Sequence, residues 1–235
     1  MPRAWRALKG WRRRCPPRSR RPHSLGVWSA LAWEMIRRGH LLMAVYLMWM
    51  VVTYMRPSEP LTIRKADLMK PVDGVNKYWS LLLFPEHRRA RSKVMASNDS
   101  IELYAPWAPW MTRVCEALAE GDPESLVFPI SYNEFLKVLR TVANLLGLAV
   151  VAYQARHSGP SIDAARHLRT RAEIKTRGRW SADKSVIRYE RPARLSQSLL
   201  ELSQSKQEFC RRAEELLPRL ILGECRADAL AFPTA

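Results

Sequence analysis

Fifteen consecutive residues, Leu41 to Met55 (LLMAVYLMWMVVTYM), contain no charged side chain. Such a run has two homes, a bilayer or a protein core. A helix spanning a bilayer needs about 20 apolar residues at roughly 1.5 Å rise each. This run is shorter, and Arg56 follows it at once. It therefore reads as a helix buried nearly all round in a protein core, and no membrane partner is expected. A helix buried on every face demands apolar partners, which confines the chain to a packed, mainly helical architecture.

Those partners are legible on either side. Within SLGVWSALAWEMIRRGHLLMAVYLMWMVVTYM, a second helical segment precedes the run, and the two are broken near Gly39. Pro57 and Pro60 then punctuate the chain. NKYWSLLLF and DSIELYA read as strands joined by the charged loop PEHRRARSKVMASN. SYNEFLKVLRTVANLLGL reads as a helix, with Ser131 and Glu134 in capping-box spacing and Gly147 at its end. SGPSIDAARHL, RTRAEIKTRGRW and SADKSVIRYERPARL are short and helix-compatible. Leu195, Leu199, Leu202, Phe209, Ala213, Leu216 and Leu220 then recur at three- and four-residue steps for the most part, an amphipathic and interrupted helix whose stripe needs a partner. The expected fold is mainly α with a small antiparallel β-sheet, an α+β arrangement.

Charge narrows the partners. The chain carries 39 Lys and Arg against 22 Asp and Glu, a net +17. A surplus of that size attracts polyanions: nucleic acid first, then an anionic membrane surface, then an acidic protein. Nine of the first 22 residues are Lys or Arg, none is acidic, and prolines interrupt RRRCPPRSRRP. Residues 1–22 thus read as a basic arm or linker that tracks DNA, or as an Arg-rich organelle transit segment. No secretory signal is expected, because the basic start lacks an apolar stretch behind it. Cys15, Cys115, Cys210 and Cys225 lie far apart with no CxxC pair, a pattern that suits a reducing compartment and disfavours zinc or a disulfide framework.

The reaction class is bounded by absences. The sequence contains no Gly-rich phosphate loop, no GxSxG elbow, no HExxH and no tight carboxylate pair in a metal-like setting. No metal and no cofactor are expected. Cations and a tyrosine remain, most conspicuously in RGRWSADKSVIRYER, residues 177–191. Such a set suits phosphoryl transfer without metal: a tyrosine attacks a phosphodiester, arginines neutralise the non-bridging oxygens, and a lysine protonates the leaving hydroxyl.

Four stretches in order, TYMRPSEPLTIRKADL, RSKVMASNDSIEL, YQARHSGPS and RGRWSADKSVIRY, resemble the catalytic domain of the tyrosine recombinase (phage integrase-type) family. The resemblance covers about residues 23–195. It implies Arg56 as the first catalytic arginine with Glu59 supporting it, and Arg156 as the second, with Tyr153 and His157 supporting. It also implies Lys93 in a hairpin turn as the proton donor, Trp180 beside the phosphate, and Tyr189, nine residues past Trp180, as the nucleophile. The implied organisation is a basic arm (1–22), a catalytic domain (23–195) and a C-terminal amphipathic helix and tail (196–235). The implied activity is site-specific DNA recombination or integration through a 3′-phosphotyrosyl intermediate, as in mobile elements. Double-stranded DNA is the implied partner, with dimers or tetramers forming on it through the C-terminal helix. The chain would reside with DNA, in a nucleus, nucleoid or organelle.

The pattern departs from the family in two places. Tyr153 stands where the family has a histidine, and a phenol of ordinary pKa about 10 is no near-neutral base. The helical clamp that precedes the family's catalytic domain is represented only by the short basic stub. Two other readings stay open: a catalytically weak DNA-binding relative left by a mobile element, and a basic protein associated with a membrane or organelle.

Overall fold

The uncharged run is a helix, α3 (Leu41–Thr53), and every residue from Ala44 to Thr53 is buried. The computed structural model that places it describes residues 2–14, 21–85 and 99–233. α3 follows α2 (Leu25–Arg37) through a short turn in which Gly39 adopts φ +83° and the His40 N–H bonds the Met35 carbonyl at 2.9 Å. Ser24 caps α2, its hydroxyl accepting from the Val27 N–H at 3.3 Å. Trp28, Trp33 and Trp49 are fully buried along these two helices. Among the described residues no helix is long and apolar enough to cross a membrane.

The two central helices are covered from different sides. α9 (Gln204–Ile221) packs along α2 through Phe209, Cys210, Ala213, Leu217 and Leu220, all buried. α6 (Tyr153–Ala165) packs along α3. The second crossing is very close: a Cβ on Gly159 would collide with the Val51 carbonyl and lie 2.6 Å from the Tyr54 ring. Only glycine allows α6 to approach α3 at that point. The C-terminal stripe, expected to seek a partner inside or outside the chain, is therefore covered largely by its own chain, while Leu200 on α8 (Pro192–Leu200) stays exposed.

The sheet has three antiparallel strands in the order β1 (Leu68–Met69), β2 (Ser80–Leu83), β3 (Asp99–Glu102). Leu81 pairs with Ile101 on one side and Leu68 on the other, and all three are buried. Alternation along β2 buries Leu81 and Leu83 and leaves Ser80 and Leu82 half-exposed. The loop between β2 and β3, residues 86–98 with Lys93, lies outside the described residues.

α4 (Met111–Ala119), α5 (Tyr132–Leu146) and α7 (Arg171–Arg177) complete the helical shell. The Ser131 hydroxyl accepts from the Glu134 N–H at 3.4 Å, and Gly147 ends α5 in the left-handed conformation at φ +74°. Two expectations change in detail. The basic N-terminal segment is helical from Pro2 to Arg14 (α1), with Trp5 and Trp11 exposed, because Pro2 sits at the first helical position, where a proline is tolerated, and the next proline is Pro16. The stretch around Tyr189 is not one helix but two 3-10 turns, Asp183–Ser185 and Ile187–Tyr189, leading into α8. Cys115 and Cys210 are buried free thiols, and Cys225 is a partly buried one.

Candidate active site

Three helix ends meet near the C-terminus of α3. Tyr54 ends that helix in the left-handed conformation, φ +57°, which costs a non-glycine residue about 1–2 kcal/mol. Its surroundings hold it there. The Tyr54 hydroxyl bonds the buried Asp163 carboxylate, which also accepts from Trp107 Nε1 at 2.7 Å and pairs with Arg169. Arg177 donates to the carbonyls of Val52 (2.9 Å), Glu102 (2.8 Å) and Tyr104 (3.1 Å) and lies 5.4 Å from the Tyr54 ring. Its burial lowers its pKa to about 10, still well above neutrality. The reversal at Tyr54 turns the chain out of α3 and sets the direction in which Arg56 leaves.

Arg56 is bound to Glu59 twice, through its backbone N–H at 2.7 Å and through Nη1 at 2.7 Å. Glu59 also receives Nη2 of Arg179 at 2.5 Å. Burial alone would push the Glu59 carboxyl up, but the Arg179 and Arg56 cations and their hydrogen bonds outweigh it and hold it below the usual range. Arg56 keeps part of its side chain exposed, whereas Arg179 is only 7% exposed. Nε and Nη1 of Arg179 are buried with no hydrogen-bond partner among the described residues. A guanidinium in that condition is costly unless an acceptor arrives, and a phosphate oxygen is the natural one.

Arg156 sits in the first turn of α6 and is 1% exposed. It donates to the Tyr54 carbonyl and, at 2.8 Å, to the Gly178 carbonyl, so it joins the end of α3 to the end of α7. Burial first, then repulsion from Arg56, lowers its pKa to about 10, and Glu59 opposes the shift. It remains a cation at neutral pH. Its guanidinium lies 5.1 Å from the Trp180 ring centroid, a cation–π contact.

Trp180 is positioned by the end of α7. That helix begins with a capping box in which the Glu173 carboxylate accepts the Thr170 N–H at 2.6 Å, and it ends at Gly178, whose N–H bonds the Ile174 carbonyl. Arg179 then reverses the chain at φ +55°, and Trp180 folds back so tightly that a Cβ on Gly178 would collide with its ring. The two 3-10 turns follow. The Tyr189 N–H bonds the Val186 carbonyl at 2.8 Å, and Glu190 is fixed by a bidentate pair with Arg171 at 2.5 and 2.7 Å.

Tyr189 is thereby brought against α6. Its ring lies 4.9 Å from Trp180 and 5.6 Å from His157, and its hydroxyl is 2.7 Å from His157 Nδ1. It is 4% exposed. Burial pushes its phenol up to about 12, against the pull of Arg188 and Arg156. Tyr153 meets the other side of the cluster, edge-on to His157 at 5.1 Å. Beside Arg56 and Tyr153 opens a cleft of about 570 Å³, bordered also by Ser58, Tyr132 and Arg140.

Of the residues singled out in the sequence, Arg56, Glu59, Tyr153, Arg156, His157, Trp180 and Tyr189 are linked by these contacts and mutual charges; Lys93 lies outside the described residues. Arg179 was not singled out, although the doubled arginine of RGRW was its signal. The Tyr54–Asp163–Arg169 support had none, since it forms only when α3, α6 and the segment after β3 pack. Among the described residues no cluster of His, Cys, Asp and Glu is arranged to hold a metal ion. No family model, curated protein or solved structure matches this chain.

Proposed function

We propose that the chain is a DNA strand-breaking and rejoining enzyme of the tyrosine recombinase type. The observation that supports this reading is the convergence of Tyr189, Trp180, Arg156 and Arg56, from three separated stretches of sequence, around one electropositive site. A buried phenol beside arginines has a specific use in phosphoryl transfer. Its oxygen attacks a DNA phosphorus in line with the 5′-oxygen; a bond from Tyr189 to phosphorus forms as the phosphorus–O5′ bond breaks. The products are a 3′-phosphotyrosyl link and a free 5′-hydroxyl, and reversal with a different 5′-hydroxyl rejoins the strands without ATP.

Arg56 and Arg156 neutralise the charge on the non-bridging oxygens, a task that suits the guanidinium fork. The unpaired nitrogens of Arg179 supply further donors. Glu59 aligns Arg56 and Arg179, Tyr153 borders the phosphate cleft, and Trp180 packs against both Arg156 and the nucleophile. Lys93 protonates the leaving 5′-oxygen. The +17 surplus draws the protein to double-stranded DNA, on which it assembles as a dimer or tetramer.

The test is direct. Incubation with nicked or branched duplex, followed by denaturing electrophoresis, should give a covalent protein–DNA band that Tyr189→Phe abolishes. Tyr153 in the histidine position and the burial of Tyr189 favour one other reading, a DNA-binding relative with weak or lost cleavage. Salt-sensitive DNA binding with no adduct on any substrate would establish that reading instead.

A further inference from the structure

We propose that His157 is the general base for Tyr189: it takes the phenolic proton during cleavage and returns it when the strands rejoin. The proposal rests on the reading of Tyr189 as nucleophile and supplies what the substitution at Tyr153 removes.

The geometry carries it. His157 Nδ1 lies 2.7 Å from the Tyr189 hydroxyl, within reach of direct proton transfer. With the ring proton on Nε2, the phenol donates to Nδ1. The imidazole is wedged between two phenols, Tyr189 tilted 31° at 5.6 Å and Tyr153 edge-on at 5.1 Å. Its backbone carbonyl accepts from Ser161 Oγ at 2.9 Å, and two residues on Gly159 locks the helix against α3. Among the described residues, the charged and titratable groups acting on the phenol besides His157 are Arg156 and Tyr153 from α6 and Arg188 from its own turn. None of these is a near-neutral base. Imidazole is the side chain that gains a proton near neutrality, and a phenol held at about 12 transfers almost none without one.

The step balances. The Tyr189 O–H bond breaks and its proton moves to Nδ1, giving an imidazolium. The phenolic oxygen bonds phosphorus, and the 5′-oxygen departs with a proton from a separate donor. In rejoining, the incoming 5′-hydroxyl loses its proton to that donor, and the imidazolium reprotonates the departing phenol.

The experiment measures adduct formation over pH 5 to 10 for the wild type, His157→Ala and the size-conserving His157→Asn. General-base catalysis contributes about 10²–10⁴-fold, so both variants should lose that much rate while binding DNA unchanged. The wild-type rate should level off above the imidazole titration, whereas the variants should keep climbing toward the phenol's range. A substrate with sulfur as the 5′ leaving atom, which needs no proton donor, should leave both defects in place. Rates within twofold of wild type, an unchanged pH profile, or rescue by the sulfur substrate would each overturn the proposal. A readout without DNA covers variants that fold poorly: Tyr189→Phe should shift the His157 titration midpoint followed by NMR, and an unshifted midpoint also overturns it. A wild type that forms no adduct while that shift is present defeats the recombinase reading and, with it, the catalytic role of His157.

Discussion

Glu59 does no chemistry in the proposed reaction, yet the charge balance of the site depends on it. It is the shared counter-ion of Arg56 and Arg179, buried to 8% exposure. Removing one partner from such a buried arrangement typically costs about 3–5 kcal/mol. Its folded pKa is depressed from an ordinary value of 4.5, so its stabilisation is fully present above that pH and is lost as pH falls through the folded value. Glu59→Gln should therefore be most destabilised relative to wild type near pH 7, and the gap should narrow below pH 4.5. Urea unfolding at a series of pH values checks this; a constant gap would mean that Glu59 acts through shape and not charge. The resemblance of four ordered stretches to the recombinase family nominated Arg56, Arg156, Trp180 and Tyr189, and no one of those stretches would have done so by itself. Arg179 and Asp163 escaped because their importance lies in which nitrogen or oxygen is left buried, a property of the folded chain.

At the scale of elements, α3 and α5 were legible for different reasons. α3 announced itself by having no polar face, and α5 by its cap, its period and its terminal glycine. The 3-10 turns before Tyr189 were not legible, since their residues suit a helix equally well and only packing on α6 and Trp180 decides. The crossing of α6 over α3 is the joint on which the site rests. In Gly159→Ala the added methyl meets the backbone of Val51 and the ring of Tyr54, neither of which is a flexible chain end. Overpacking of this kind costs about 1–3 kcal/mol or somewhat more. The variant should lose that stability in denaturant titrations and, because Arg156 and His157 ride on the same helix, should lose adduct formation beyond its loss of folded protein. Wild-type stability would show that the helices separate without strain.

For the molecule as a whole, the excess of cations sets the expected behaviour toward DNA. Each phosphate contact contributes about −0.9 to the slope of log affinity against log salt. Six of the cations lie between Arg3 and Arg14, in α1. Beyond this segment the chain is tied to α6, for the Arg21 carbonyl accepts from Gln154 Nε2 at 2.8 Å. Deleting residues 1–22 should make the salt slope shallower by several such contacts and weaken binding to all sequences alike. An unchanged slope would remove the arm from the interface. Composition already pointed to a polyanion; that the first of these residues are helical, with two tryptophans outward, followed only from the fold.

Tyr189, enclosed by Trp180 and His157 at rest, carries one more consequence. If Tyr189 is the nucleophile, its burial at 4% exposure should keep the free protein silent toward stray phosphodiesters and nucleotides. The aromatic enclosure acts as a safety catch. On the proposed reading, reactivity belongs to the complex, in which an entering strand displaces the tilted Trp180 ring and leaves the His157 contact in place.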